Sequence, residues 1–309
     1  MKSPGGKNKI LFIVGPTAIG KTEAAVRLAK RIGGEIISLD SMQIYKGMDI
    51  ITSKPLSPTE KQAVHHLIDL IPPTREYNVS EYRRGALSKI KQLVKRGKIP
   101  IFAGGTGLYM SVLIDGIFDF NAKDKTIRQR LYKQLKKKGS GYLYKRLNAI
   151  DALAAGKIHP HDARRIIRAL EVFQVTGKPI SYLKTQREGL SPDFDIRIFC
   201  LNMQREKLYE RIDERVDRMF SKGLLQEVKK LLKLRLSKTA ACAIGLRELK
   251  GYFDGLYDLE EAKRLMKRNS RAYAKRQLTW FRKDKRIHWI DVGENEKPLS
   301  VSNRILKAL

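Results

Sequence analysis

Short apolar runs alternate with amphipathic stretches along much of the chain. The runs of strand length are residues 9–14, 35–39, 99–103, 195–201 and 287–290. Residues 21–32 and 81–95, between the first three runs, carry apolar side chains at helical spacing, and two glycines follow the first of these stretches. Buried strands that alternate with helices are typical of a parallel α/β sheet. We therefore predict an α/β fold with one parallel sheet flanked by helices.

The middle of the chain has a different pattern. Residues 113–192 show helical periodicity and no convincing strand. Asp162 is a suitable N-cap for a helix over residues 163–175, and Gly177 with Pro179 would end it. We expect a small all-helical insertion domain at 113–192, within a core domain formed by residues 1–112 and 193–309. Two further helices are predicted in that core, over residues 204–221 and 259–282.

An eight-residue segment after the first apolar run fits the phosphate-binding pattern G-x-x-x-x-G-K-[ST], the P-loop. Its members are Gly15, Pro16, Thr17, Ala18, Ile19, Gly20, Lys21 and Thr22. Glycines let backbone N–H groups curl around an anion, and the N-terminus of the following helix adds its positive end. The lysine adds a point charge, and the Thr22 hydroxyl can ligate Mg²⁺. The segment predicts a site for the phosphates of a small ligand, with Mg²⁺ as the expected cofactor.

The acidic residue expected beside this loop follows the second apolar run. ATP hydrolases end a later strand in an aspartate that holds the metal, whereas residues 99–103 lead here into Gly104, Gly105 and Thr106. Asp40 instead follows the run 36–39. A carboxylate there suits a general base that takes a proton from the acceptor of a transferred group. Capping of a turn, or support of Mg²⁺, is the alternative role for Asp40.

The charge of the chain points to a polyanionic partner. Lysine and arginine total 63 against 32 acidic residues, a formal charge of +31. Positive charge favours nucleic acid because each phosphate can be neutralised by a positioned cation. A solvated, lysine-rich surface is the alternative. Arg211, Arg215 and Arg218 share one stripe of a predicted helix. On pattern alone this stripe either faces an anion or is a solvated surface.

The rest of the composition concerns location. The hydrophobic share of 42% is that of a globular protein, and no apolar stretch reaches the about 20 residues of a membrane span. Residues 1–9 run directly into the first strand, so we expect no secretory signal. Cys200 and Cys242 suit a reduced cytoplasmic compartment, and both are expected to be buried. We expect a cytoplasmic protein with no membrane partner.

Several further segments, taken in order, resemble the bacterial tRNA dimethylallyltransferase (tRNA isopentenyltransferase) family. After the P-loop they are residues 40–50 (DSMQIYKGMDI), 65–69 (HHLID), 104–109 (GGTGLY), 167–172 (IRALEV), 211–216 (RIDERV) and 275–281 (KRQLTWF). The resemblance covers nearly the whole chain. The chain departs from the family's pattern at Ile51, Ala163 and Leu246, and none of these departures removes a candidate catalytic group.

The resemblance implies that a dimethylallyl group passes from dimethylallyl diphosphate to N6 of adenosine 37, next to the tRNA anticodon. The P-loop would then hold the diphosphate leaving group. Asp40 would accept the proton of the amine, and Lys21, Mg²⁺ and Arg215 would stabilise charge on the diphosphate. The candidate catalytic residues are Asp40, Thr106 and Arg215.

The same resemblance implies two sets of tRNA contacts. The target adenine must leave its stack to reach the site, and the residues expected around it are Asp40, Ser41, Met42, Gln43 and Thr106. In the helical insertion the expected contacts are Arg128, Arg164, Arg165, Ile166, Ile167 and Arg168. The insertion would then clamp the anticodon stem-loop, and we expect a monomeric enzyme. Trp280 and Phe281 are expected to be core residues and not stacking platforms.

Three other functions share parts of these patterns. A P-loop kinase for a small molecule would use Mg²⁺ and an aspartate that activates a hydroxyl, but it does not require a charge of +31. An adenylate isopentenyltransferase acting on free nucleotides would share the loop and the aspartate, but not the basic insertion. A non-catalytic RNA-binding module would not require Asp40 and Thr106 at strand ends.

Overall fold

The computed structural model describes residues 6–55, 62–117, 124–190 and 192–309. They fall into two compact units, Met1–Ile114 with Ser191–Leu309, and Asp115–Leu190. Residues 1–5, where we expect no secretory signal, lie outside the described residues, as do 118–123 and 191 of the predicted insertion. No helix in the described part of the chain is both long and apolar enough to cross a membrane.

The first unit is built on a six-stranded sheet. Its strands are β1 (Asn8–Val14), β2 (Gly34–Leu39), β3 (His65–His66), β4 (Ile99–Gly104), β5 (Phe194–Asn202) and β6 (Ile287–Asp291). The order across the sheet is β3-β2-β4-β1-β5-β6, and every neighbouring pair is parallel. The predicted parallel α/β fold is confirmed. Only the two-residue β3 was not predicted, because it is too short to show a period.

The described residues form helices in both units, and those of the first unit connect and cover these strands. In chain order the helices are α1 (Lys21–Ile32), α2 (Val79–Lys95), α3 (Gly107–Ile114), α4 (Lys125–Ile150), α5 (Ala152–Ala155), α6 (Ala163–Thr176), α7 (Ile180–Thr185), α8 (Arg205–Ser221), α9 (Leu224–Leu231), α10 (Leu246–Phe253), α11 (Leu259–Phe281) and α12 (Pro298–Lys307). Several begin at a side-chain cap or a glycine, whereas α7, α8 and α12 begin without either. In α2, for example, the Asn78 side chain accepts from the backbone of Ser80 and Glu81, and the Glu81 carboxylate accepts from the Asn78 backbone.

The strands are apolar because both faces of the sheet are covered. Residues Ile10–Val14 of β1 have no exposed surface, and Phe12 stacks on Phe102 of β4 with ring centroids 4.7 Å apart. Helix α1 adds Ala24, Ala25 and Leu28 to the same core. Burial on both faces explains why these strands read as continuous apolar runs and not as alternating ones.

Two predictions about buried side chains are wrong. Cys200 is buried, as predicted, but Cys242 is exposed. It ends a short 3₁₀ turn, Ala240–Cys242, where only Ala240 reaches the core. Phe281 is fully buried, whereas Trp280 is 40% exposed and lies against Gly107, the first residue of α3. Neighbouring residues on a helix point in directions about 100° apart, so both aromatic rings cannot face one core.

In its described residues, the second unit contains helices and no strand. Its core joins α4 and α6 through Leu131, Leu143, Leu147, Ile166 and Leu170. Glu171 is fully buried in this unit, and its carboxylate accepts from Arg128 at 2.6 Å and from Arg168 at 3.0 Å. This carboxylate therefore ties the start of α4 to the middle of α6.

We predict that Glu171→Gln lowers the free energy of unfolding by about 1–3 kcal/mol, because two guanidinium groups lose a buried charged acceptor. Urea unfolding followed by circular dichroism measures the change. Lys136→Gln on the exposed side of α4 is the control, and its effect should stay within about 0.5 kcal/mol. Equal stabilities for the two variants would show that the Glu171 cluster does not stabilise the unit.

Candidate active site

Three loops meet at the carboxyl edge of the sheet, in the first unit. Their strands are in register, since Gly104 of β4 pairs with Val14 of β1 on one side and with Leu39 of β2 on the other. The P-loop follows β1, Asp40 follows β2, and Gly105 with Thr106 follows β4. The edge where strand order changes direction is the usual binding crevice of an open α/β sheet. The fold thus brings together the predicted P-loop, Asp40 and Thr106.

The backbone of the P-loop explains its glycines. Gly15 has φ 143°, and a Cβ atom there would lie 2.7 Å from the Leu201 carbonyl oxygen of β5. Gly20 has φ 92° and is the N-cap of α1. Both angles lie in the left-handed region that favours glycine. The first amides of α1 therefore face the crevice, which suits binding of an anion.

Lys21 is the half-buried cation of this loop, and its ammonium donates to the Pro16 carbonyl oxygen at 2.7 Å. Burial, together with the positive charge of Arg215, lowers the pKa of Lys21 to about 8, although the Asp40 carboxylate opposes the shift. Taking an ammonium out of water disfavours its charged form. An anionic ligand beside Lys21 would restore that charge.

Arg215 reaches the P-loop from α8. Its Nη1 donates to the Thr17 hydroxyl at 2.6 Å, and its Nε donates to the Ser53 hydroxyl at 3.1 Å. The apolar face of α8 holds the helix in place through Leu208, Ile212, Val216 and Met219. Arg215 therefore lies beside the P-loop, as a residue that stabilises a bound diphosphate should.

Asp40 and Thr106 are fixed by short contacts between neighbouring loops. The Asp40 carboxylate accepts from the Met42 backbone at 2.8 Å, and the Thr106 hydroxyl accepts from the Ser41 backbone at 3.2 Å. The Thr106 backbone donates to the Leu39 carbonyl at 3.1 Å. These contacts hold the carboxylate and the hydroxyl at adjacent strand ends. The side chain of Gln43 accepts from Ser38.

Two residues of α11, Gln277 and Tyr273, belong to the site although the sequence assigned them no role there. The Gln277 side chain accepts from the Thr17 backbone at 2.9 Å and donates to the Gly105 carbonyl at 3.0 Å, so it joins two of the loops. Tyr273 lies beside Thr106, and burial followed by the Asp40 carboxylate raises its pKa. The motif at 275–281 contained Gln277, but nothing in its spacing showed what the amide would contact.

Two cavities open on these residues. One has a volume of about 350 Å³ and is lined by Lys21, Thr22, Arg215, Arg218 and Lys222, among others. The second has a volume of about 340 Å³ and an apolar wall formed by Met42, Ile51, Ile212, Val216, Met219, Ala243, Ile244 and Met266. Thr17, Asp40, Thr52, Arg215, Met219 and Tyr273 line both cavities. A cationic cavity and an apolar cavity therefore share one wall, which includes Asp40.

The cationic cavity contains oxygen atoms of the kind that bind magnesium, although the Asp49 carboxylate is also paired with Lys54. Thr22, Asp40 and Asp49 all line it, and Mg²⁺ prefers one or two such ligands, with phosphate and water supplying the rest. Among the described residues, no group of three or more histidine, cysteine, aspartate or glutamate side chains is placed to hold a metal ion. The donor set suits an ion that arrives with a phosphate ester.

The predicted tRNA-binding residues of the second unit fall into two classes. Arg164 and Arg165 are exposed at the start of α6. The other four are buried or already paired. Ile166 and Ile167 lie in the helical core, and both Arg128 and Arg168 bind Glu171. The side chains of Arg164 and Arg165 are therefore the more accessible members of this predicted set.

Family models match most of the chain. Residues 43–284 match the model described as IPP transferase, and residues 8–66 match the model described as isopentenyl transferase. A tRNA dimethylallyltransferase of Carboxydothermus hydrogenoformans is 49% identical over 290 residues, which are 93% of each chain. One of Geobacter sulfurreducens is 44% identical over 298 residues, or 96% of each chain.

Solved structures agree with these matches. The full-length tRNA isopentenylpyrophosphate transferase of Bacillus halodurans has a TM-score of 0.71 and 40% identity, covering 97% of this chain and 96% of that one. A eukaryotic dimethylallyltransferase acting on tRNA has a TM-score of 0.80 and 30% identity, covering 92% of this chain and 74% of that one. Similarity over this length, together with the P-loop and its neighbouring aspartate, establishes that the chain belongs to the tRNA dimethylallyltransferase (IPP transferase) family.

Proposed function

We propose that this enzyme transfers a dimethylallyl group from dimethylallyl diphosphate to N6 of adenosine 37, beside the anticodon of tRNA, and releases diphosphate. The observation that carries the proposal is the wall shared by a cationic and an apolar cavity, with Asp40 in it. An allylic diphosphate has one ionic end and one apolar end, and the bond that breaks joins them. The relatives named above are tRNA dimethylallyltransferases.

The diphosphate end is assigned to the P-loop. The amides at the start of α1, Lys21 and Arg215 face this cavity. Arg218 of α8 and Lys222, which caps the end of that helix, add positive charge. As the C–O bond of the donor breaks, negative charge grows on the leaving diphosphate. Cations fixed in place before the reaction stabilise that charge without reorganising. The sequence pattern identified Lys21 and Arg215 but gave no role to Lys222.

Asp40 is assigned the proton of the acceptor amine. The lone pair of an exocyclic adenine amine is delocalised into the ring, so its nitrogen is a weak nucleophile. As N6 bonds to the allylic carbon, the nitrogen becomes more acidic, and the Asp40 carboxylate accepts its proton. General bases of this kind contribute about 10² to 10⁴ in rate. The hydroxyl of Thr106, next to Asp40, can hydrogen-bond the edge of the base.

Magnesium and tRNA complete the proposed complex. Thr22 would hold Mg²⁺, with Asp40 or Asp49 able to assist, and the ion would neutralise part of the diphosphate charge. The second unit would bind the anticodon stem-loop through exposed cations such as Arg164 and Arg165. We also propose that the enzyme acts as a monomer, because the described residues of one chain supply every group named here. We place it in the cytoplasm because its proposed substrate is tRNA.

The proposed function is tested with radiolabelled dimethylallyl diphosphate. The enzyme is incubated with bulk tRNA, with a tRNA whose adenosine 37 is replaced by guanosine, or with AMP. Label in the first RNA and not in the second is expected. Label in AMP would indicate an adenylate isopentenyltransferase, and phosphate transfer from ATP to nucleosides with no label in RNA would indicate a kinase.

For the base, we predict that Asp40→Asn lowers kcat by about 10² to 10⁴, while inorganic diphosphate binds about as well as before. Removing the carboxylate eliminates the proton acceptor but leaves the P-loop cations in place. Single-turnover kinetics and calorimetry measure the two effects. Asp193→Asn, an exposed position before β5, is the matched control. Unchanged kcat in Asp40→Asn would remove Asp40 from this role.

Lys21 gives a second prediction, a pH dependence of diphosphate binding. With its pKa at about 8, the ammonium is charged below that pH and loses its proton above it. Affinity for inorganic diphosphate should therefore fall as pH rises through 8, approaching about tenfold for each further unit if only the charged form binds. In Lys21→Arg the guanidinium stays charged, so the fall should disappear. An equal fall in both proteins would place the titration elsewhere.

A further inference from the structure

A turn formed by residues 49–53 separates the two cavities. Asp49, Ile50 and Ser53 line the cationic cavity, Ile51 lines the apolar one, and Thr52 lines both. The turn is closed by a hydrogen bond from the Ser53 backbone to the Ile50 carbonyl at 2.9 Å. Its position therefore determines the shape of the wall between the proposed diphosphate and allyl sites.

Glu227 of α9 holds this turn. One carboxylate oxygen accepts from the backbone of Asp49 at 2.9 Å and of Ile50 at 2.8 Å, and the other accepts from Ile51 at 2.9 Å. Three successive amides that point at one anion form a concave anion-binding site, which is filled here by a side chain. Bonds from N–H groups to a charged acceptor are stronger than neutral ones. Glu227 therefore fixes the end of the turn that carries Asp49, Ile50 and Ile51.

The other end of the turn contacts the P-loop cations. Ser53 has φ 47°, a left-handed angle, and its hydroxyl accepts from Arg215 Nε. Arg215 in turn donates to Thr17 of the P-loop. The Ser53 carbonyl also accepts from the Gln43 side chain at 3.3 Å. A shift of the turn would thus move the acceptor that orients Arg215.

We propose that Glu227 is a positioning residue for prenyl transfer, which acts through the 49–53 turn and Ser53 to set the orientation of Arg215. The inference rests on the proposed function, because it assigns Arg215 to the leaving diphosphate. Helices α8 and α9 follow each other directly, so one helical pair carries Arg215 and also the carboxylate that positions its partner. Neither the P-loop pattern nor the stripe of arginines includes Glu227.

Glu227→Gln is a sharp test, since it keeps the size of the side chain. A glutamine has one acceptor oxygen, so its NH₂ group must face at least one of the three amides. We expect kcat to fall about 10- to 100-fold, the scale of a small misplacement near a reacting centre. We also expect the KM for dimethylallyl diphosphate to rise and the KM for tRNA to change less than twofold. Glu227→Asp, which keeps the charge, should recover part of the loss.

Coupling to Ser53 separates positioning from general stabilisation. Ser53→Ala removes the acceptor of Arg215 Nε, and the double variant Glu227→Gln with Ser53→Ala should lose little more than the worse single variant. Glu206→Gln, exposed in the first turn of α8, is the control and should have wild-type kinetics. Thermal unfolding of each variant shows whether the protein remains folded at the assay temperature.

The outcomes are distinct. Wild-type kcat and KM in a folded Glu227→Gln would overturn the proposal, and so would losses that multiply in the double variant or an equal rise of both KM values. Absence of prenyl transfer by the wild-type enzyme would instead refute the proposed function. In that case, calorimetric binding of inorganic diphosphate to wild type and Glu227→Gln still tests the positioning of Arg215, with weaker binding expected in the variant.

Discussion

The parallel register of β2, β4 and β1 is the constraint on which the site depends. Because the three strands run the same way and end level with one another, their following loops leave the sheet at one edge. Those loops carry a carboxylate, a hydroxyl and an anion cradle. None of them is close to the others in sequence, and no single loop could supply all three. The strands that carry these loops are buried on both faces of the sheet.

Electrostatics divides the site into two parts. Lys21 and the amides of α1 make one cavity suited to negative charge, the other has an apolar wall, and Arg215 lines both. Asp40 lines both cavities. Burial and the charge of Asp40 raise the pKa of Tyr273, and the same charge partly offsets the lowering of the pKa of Lys21 by burial. The Asp40 carboxylate therefore lies close to the cations of the P-loop. The same closeness makes the charge of Lys21 sensitive to what is bound.

The sequence predicted those parts of the site that depend on short, local patterns of residues. The P-loop, Asp40 after a strand, and the helix that carries Arg215 all follow from local patterns of glycine, charge and periodicity. Glu227, Ser53 and Gln277 did not follow, because each acts through a partner between 160 and 260 residues away, or through backbone atoms. Likewise, the sequence predicts the arginines of residues 164–168 only as tRNA contacts, and the fold shows that Arg168 binds the buried Glu171. The net charge of +31 does not show which of the lysine and arginine side chains already bind a carboxylate of the protein.

The contact between Gln277 and Gly105 also bears on how this chain can change. A Cβ atom at Gly105 would lie 2.0 Å from the Gln277 Nε2 atom, and that amide also holds the Thr17 backbone of the P-loop. A larger residue at 105 would have to displace Gln277, and a shorter residue at 277 would leave the Thr17 amide without its acceptor. A substitution at either position therefore disturbs the contact that Gln277 makes between the two loops. The two sites are therefore coupled through one side chain, although they lie on different elements and far apart in the chain.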